Sequence, residues 1–154
     1  MRTVLFFIVL LPLPLMNQDQ ILNHNTKREK VIELAEQFLG KPYKMSHGVH
    51  RFDCSGYVRY LMSKIDVVVT RSSISQVHDG IKVNDVSQAQ PGDILVFRGR
   101  SKNNSRPGHV GLVHHWSNDT LYFIHSSVQK GITIDHMYEP YYKSRFLQVR
   151  NVID

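Results

Sequence analysis

From position 26 onward the hydrophobic period of the chain changes once, from helical to extended. Thr26 and Glu29 have capping-box spacing, and Val31, Ile32, Leu34, Ala35, Phe38 and Leu39 follow at the helical period. Gly40 and Pro42 supply a stop, so the pattern predicts a first helix over 27–39. Residues 41–52 mix Pro, Gly and polar side chains and read as a loop. Asp53 suits an N-cap, and Val58, Leu61, Met62 and Ile65 make one apolar face of a second helix. A short helical turn capped by Ser72 is expected over 73–79. After Pro91 and Gly92 the period shortens. Segments 93–97, 109–116 and 121–125 are rich in β-branched and aromatic residues and bounded by turn signals; 132–134 and 146–152 can add two strands. Helices first and antiparallel strands afterwards predict an α+β fold, in one domain over 26–154.

Residues 1–16 do not fit this scheme. One arginine, Arg2, precedes an almost unbroken apolar run that is too short for a bilayer span and interrupted by Pro12 and Pro14. The expectation is a removable export signal over 1–18, placing the protein in the periplasm, cell wall or extracellular space. No cysteine closes the run, so no lipid anchor and no stable membrane attachment is expected after removal. At 42% hydrophobic and 21% charged residues, the composition is that of a globular domain. The net charge of +6 favours an anionic partner but is unaccompanied by any nucleic-acid recognition motif, so nucleic acid is not expected. A monomer is expected.

The candidate chemistry starts from the single cysteine, which can form no internal disulfide. Cys54 opens the second helix directly after its cap, where free backbone N–H groups favour a thiolate and can lower its pKa. Its neighbours Asp53, Ser55 and Gly56 are poor company for an inert buried thiol. A nucleophilic thiol needs a base and a group that orients the base. His109 opens one predicted strand and His125 closes the next, so a hairpin turning at 117–119 pairs them approximately. Alternation puts His109, Gly111, Val113 and His115 on one face, and Val110, Leu112, His114 and Trp116 on the other. Two histidines and an acid could instead bind zinc, but no H-E-x-x-H or comparable spacing occurs, so no metal or other cofactor is expected.

Four segments occur in order: Phe52-Asp53-Cys54-Ser55-Gly56-Tyr57-Val58, Gln90-Pro91-Gly92-Asp93-Ile94-Leu95-Val96-Phe97, Gly108-His109-Val110-Gly111-Leu112-Val113 and Phe123-Ile124-His125-Ser126-Ser127. Gly40-Lys41-Pro42-Tyr43 precedes them, and Arg71-Ser72-Ser73 with Gln76 and Gly80 lies between. Together they resemble the NlpC/P60 family of papain-like cysteine peptidases that cut peptidoglycan stem peptides. The resemblance implies a papain-like fold with N-terminal helices packed on an antiparallel sheet of about five strands. It implies Cys54 as nucleophile, His109 as base and His125 as the orienting third member. Tyr43 corresponds to a family tyrosine beside the nucleophile, and Asp53 and Ser55 to positions near the substrate's peptide end. The chain departs from the pattern after Tyr43, where Met45, Ser46 and His47 replace an aromatic residue and two glycines.

The expected activity is hydrolysis of stem-peptide amide bonds, at a bond between D-glutamate and a diamino acid. Alternatives are an N-acetylmuramoyl-L-alanine amidase or effector toxin with the same chemistry, and a catalytically silent wall-binding module. Arg98, Arg100, Lys102 and Arg106, with no acid among 98–108, read first as a solvated hairpin loop, with contact to an anionic wall polymer or a place at the cleft mouth as the alternative.

Overall fold

The computed structural model describes residues 18–43, 52–101 and 104–154, and of 18–26 the backbone alone. The export segment 1–16 and the departure at 45–47 lie outside the described residues. Helix α1, Gln18–Glu36, runs through Thr26 instead of starting there. No Gly or Pro between 18 and 26 stops the helix, so the capping box yields to continuation. Its far end arrives early, because Phe38 N–H to Ala35 O (3.1 Å) and Leu39 N–H to Glu36 O (3.1 Å) tighten the last turn. Gly40 then takes φ 77°, a left-handed conformation that glycine adopts without penalty.

Helix α2, Cys54–Ser63, begins where expected, with the Asp53 carboxylate accepting from the Gly56 N–H at 2.6 Å. Val58, Leu61, Met62 and Ile65 are all buried, as their spacing requires. Helix α3, Ser73–Gln76, is capped by Ser72 in a reciprocal box with Ser75.

The strands are β1 (Ile81–Val83), β2 (Ile94–Arg98), β3 (Pro107–Ser117), β4 (Thr120–Ser127), β5 (Gly131–His136) and β6 (Phe146–Asn151). Among the described residues they form one antiparallel sheet in the order β1-β6-β2-β3-β4-β5. The expected five strands are present. The sixth, β1, is a three-residue edge with little buried surface and gives no periodic signal. Helix α4, Pro140–Lys143, is likewise too short to show a period.

The sheet is covered on both faces. Val31, Ala35, Tyr57, Val58, Leu61 and Met62 from α1 and α2 pack on Ile94, Val96, Val110, Leu112 and Ile124. On the other face Leu95, Phe97, Val113, Leu121, Phe123 and Val149 pack with Met137 and Tyr142. That double burial explains why β2 reads as a continuous apolar run.

The β3–β4 hairpin corrects two expectations. Its turn has two residues, Asn118 and Asp119, both at positive φ (45° and 58°), the pattern of a type I′ turn. A bulge between Val113 and His115 then shifts the register. Trp116 therefore joins Val113 on the Phe123 face, against the simple alternation. Val113 pairs with Phe123 and Leu112 with Ile124, which brings Gly111, not His109, opposite His125. His114 does keep away from His109, since its ring meets Glu36 of α1 at 2.8 Å.

Candidate active site

Three elements converge on Cys54. Asp53 caps α2 and is itself gripped by Arg71, with guanidinium nitrogens 3.0 and 2.7 Å from its two oxygens. Arg71 also reaches the Ser55 hydroxyl at 3.1 Å. Fully buried Gln76 donates to the Ser55 and Thr70 carbonyls at 3.1 and 2.9 Å, tying the start of α2 to the segment before α3. Burial alone would raise the Asp53 pKa, but Arg71 and the Gly56 amide outweigh it and hold the carboxyl below its usual range.

Two contacts fasten this helix start to the sheet beside the two histidines. The amide of Val110, which follows His109, lies against the Cys54 sulfur. The hydroxyl of Ser126, which follows His125, donates to the Phe52 carbonyl at 2.8 Å. Tyr43 is near enough for the charges of Cys54, Asp53 and Arg71 to act on its hydroxyl, whose pKa burial and Cys54 raise. The structure thus gathers Tyr43, Asp53, Cys54 and Ser55 at one helix start.

The histidines meet although they are not paired across the strands. His109 Nε2 stands 2.9 Å from His125 Nδ1, the rings nearly perpendicular at 88°. Gly111 makes this possible: a Cβ there would lie 2.9 Å from the His125 Cβ and 2.8 Å from Phe123. With that space open, the long side chains meet along the diagonal of the ladder. Phe97 (centroids 6.0 Å from His109) and Phe123 (4.7 Å from His125) pack beside the two rings.

Burial of Cys54 itself runs against the expectation of a lowered thiol pKa. Burial pushes the Cys54 thiol up, and the amides of Val110, Ser55 and Cys54 only partly offset it, with Asp53 adding to the rise. Burial, and next the neighbouring His125 ring, lower His109 to about 3, against a raising influence of Asp135. Both shifts favour the neutral forms of the thiol and the imidazole.

Sequence reasoning missed the groups behind His125. Its Nε2 lies 3.0 Å from Asp135 Oδ2, and Asp135 also accepts from Lys130 Nζ (2.7 Å) and the Tyr142 hydroxyl (2.9 Å). His125 first, then Lys130 and Tyr142, hold the Asp135 carboxyl far below its usual range despite burial. A period-two reading extended one residue beyond Ile134 would have found Asp135, since Thr133 pairs with His125 and Asp135 with Phe123 on that face. Arg71 was visible only as part of a motif; its ion pair with Asp53 depends on the loop between α2 and α3.

A cavity of about 680 Å³ opens against His109 and His125, lined also by Arg100, Lys130, Glu139, Tyr141 and Arg145. Arg100 brings the basic loop to its edge. Among the described residues no group of three or more His, Cys, Asp or Glu is placed to hold a metal ion.

The model of the NlpC/P60 family matches residues 40–151. The chain is 28% identical over 153 residues to the gamma-DL-glutamyl hydrolase of Bacillus subtilis, covering 94% of this chain and 35% of that protein. It is 28% identical over 128 residues to the murein DD-endopeptidase MepS/murein LD-carboxypeptidase of Escherichia coli, covering 82% of this chain and 63% of that protein. The chain thus spans less than two thirds of either relative. Among solved structures, NlpC2 from Trichomonas vaginalis superposes with a TM-score of 0.72 at 25% identity, over 83% of this chain and 47% of that one.

Proposed function

The chain belongs to the NlpC/P60 family, and from that premise we propose that it is an exported cysteine peptidase hydrolysing amide bonds in peptidoglycan stem peptides. One arrangement carries this reading: a lone thiol at a capped helix start, its sulfur against the amide that follows His109, while His109 Nε2 is engaged by His125 at 2.9 Å. That engagement leaves Nδ1 of His109 for the thiol. The relatives named as a glutamyl hydrolase and a murein endopeptidase support the substrate class.

In the first half-reaction His109 Nδ1 takes the thiol proton as Cys54 Sγ bonds to the amide carbonyl carbon. The N–H of Cys54 at the helix start and the Tyr43 hydroxyl stabilise the oxyanion. The C–N bond breaks as His109 returns the proton to the leaving amine. A water then gives its proton to His109, its oxygen displaces sulfur from the thioester, and the thiol is restored. Asp53 and Ser55 bind the peptide end of the substrate, and the bond cut joins D-glutamate to a diamino acid. Residues 1–18 direct export and are removed.

Digestion of purified muropeptides followed by mass analysis tests this. The expected products are split at the D-glutamyl amide, and Cys54→Ala lowers the rate by at least about 10³-fold with an unchanged melting profile. Cleavage next to muramic acid would make the protein an amidase. Unchanged muropeptide masses, or full activity in Cys54→Ala, would remove the peptidase reading.

A further inference from the structure

We propose that Asp135 is a positioning residue that fixes the tautomers of both histidines and so keeps the catalytic nitrogen of His109 unprotonated. This rests on the peptidase reading above and extends it by one residue.

Donors and acceptors around Asp135 can be matched one by one. Asp135 is buried, only 7% exposed, and a carboxylate so placed requires several donors. It has three: Lys130 Nζ on Oδ1, and His125 Nε2 and the Tyr142 hydroxyl on Oδ2. An ionised carboxylate only accepts, so His125 Nε2 must carry its proton. In a neutral imidazole the other nitrogen is then a bare lone pair, and that nitrogen, Nδ1, lies 2.9 Å from His109 Nε2. His109 Nε2 must therefore be the donor, which leaves Nδ1 of His109 as the lone pair. Tyr142 spends its proton on Asp135, so at 3.4 Å its oxygen can only accept from His125 and does not disturb the order. No proton need move beyond His109: after it takes the thiol proton, both bonds to its rear keep their direction.

Substituting Asn for Asp135 reverses this order for a specific reason. Lys130 donates on the Oδ1 side, so the amide oxygen turns towards the lysine and the NH₂ faces His125 Nε2. His125 must then accept at Nε2 and carry its proton on Nδ1, and His109 in turn carries its own on Nδ1. The base is blocked while the packing is nearly unchanged.

The experiment has two arms. Nitrogen-15 NMR of the histidine rings in the Cys54→Ala protein reads the tautomers without any turnover. His109 and His125 should both be Nε2–H, and both should become Nδ1–H when Asp135→Asn is added; a His109 already protonated at Nδ1 overturns the proposal, even if Asp135→Asn fails to fold. Muropeptide kinetics form the second arm. Asp135→Asn should lower kcat about 10²-fold or more with KM within about threefold, by analogy with the wrong-tautomer effect in serine proteases. Adding Lys130→Met frees the amide to turn its oxygen to His125 and should recover part of kcat, whereas a merely structural Asp135 would lose further. Tyr142→Phe, which leaves the carboxylate, should stay within about threefold. If the wild type cleaves and Cys54→Ala does not, yet Asp135→Asn keeps wild-type kcat and tautomers, this inference alone fails. If the wild type does not cleave, the peptidase reading fails instead.

Discussion

A thiol at a helix start is subject to two opposed influences: amide groups that favour its anion and burial that disfavours it. For Cys54 burial prevails, and burial likewise favours the neutral form of His109. On the proposed mechanism proton transfer then accompanies attack instead of preceding it, with His109 acting as a general base and not as half of a standing ion pair. Alkylation of Cys54 by iodoacetamide tests this. The rate should keep rising from pH 7 through pH 9, the ordinary thiol value from which Cys54 is shifted upward. A plateau already reached below pH 7 would mean a stable thiolate–imidazolium pair. Because Cys54 is the only cysteine, every label counted belongs to it.

At the scale of elements, the β3–β4 hairpin sets the distance between His109 and His125. Gly111 is its critical position, for a methyl group there would meet Phe123 at 2.8 Å, His125 Cβ at 2.9 Å and the Ile124 carbonyl at 3.0 Å. Backbone cannot yield as a flexible side chain can, so Gly111→Ala should cost about 1–3 kcal/mol in urea unfolding. It should also lower muropeptide turnover under conditions where the variant is fully folded; an unchanged rate would show that the spacing of the hairpin is not limiting. This hairpin also marks where the sequence stops being readable. The capping Asp53, the apolar stripe of α2 and the identities of β2 to β6 each follow from local signals, and all were legible. The bulge at His114 was not, because one unpaired residue leaves the hydrophobic composition unchanged while reversing the face of Trp116. Nor could the start of α1 be read at Thr26, where a capping signal competes with a chain that simply continues as helix. Of the candidate site, the residues carried by motifs were visible, whereas Asp135 needed the β4–β5 register to be known.

Over the whole molecule, buried titratable groups make folding depend on pH. The unfolded chain protonates His109 near its ordinary 6.5, but the folded chain resists until about 3. Proton uptake by the unfolded state in that interval favours unfolding, so the stability is fully present above pH 6.5 and is lost as pH falls towards 3. Asp135, depressed below its ordinary 3.8, acts in the same sense at the acid end. Urea midpoints at pH 7 and pH 4.5 should therefore fall further apart in the wild type than in His109→Gln, whose side chain does not titrate. Equal falls in the two proteins would show that His109 is not kept neutral by folding.

The contact between Ser126 and Phe52 joins residues 74 positions apart, and it gives the chemistry an order in time. As the chain is synthesised, Cys54 emerges first, His109 next, and His125 and Asp135 last. Until β4 and β5 have paired, Cys54 is an ordinary thiol without an activating neighbour. Strand β6 enters the sheet between β1 and β2, so the sheet closes only once residues 146–151 are in place. The meeting of thiol and imidazole is consequently a property of the assembled sheet and of no single segment.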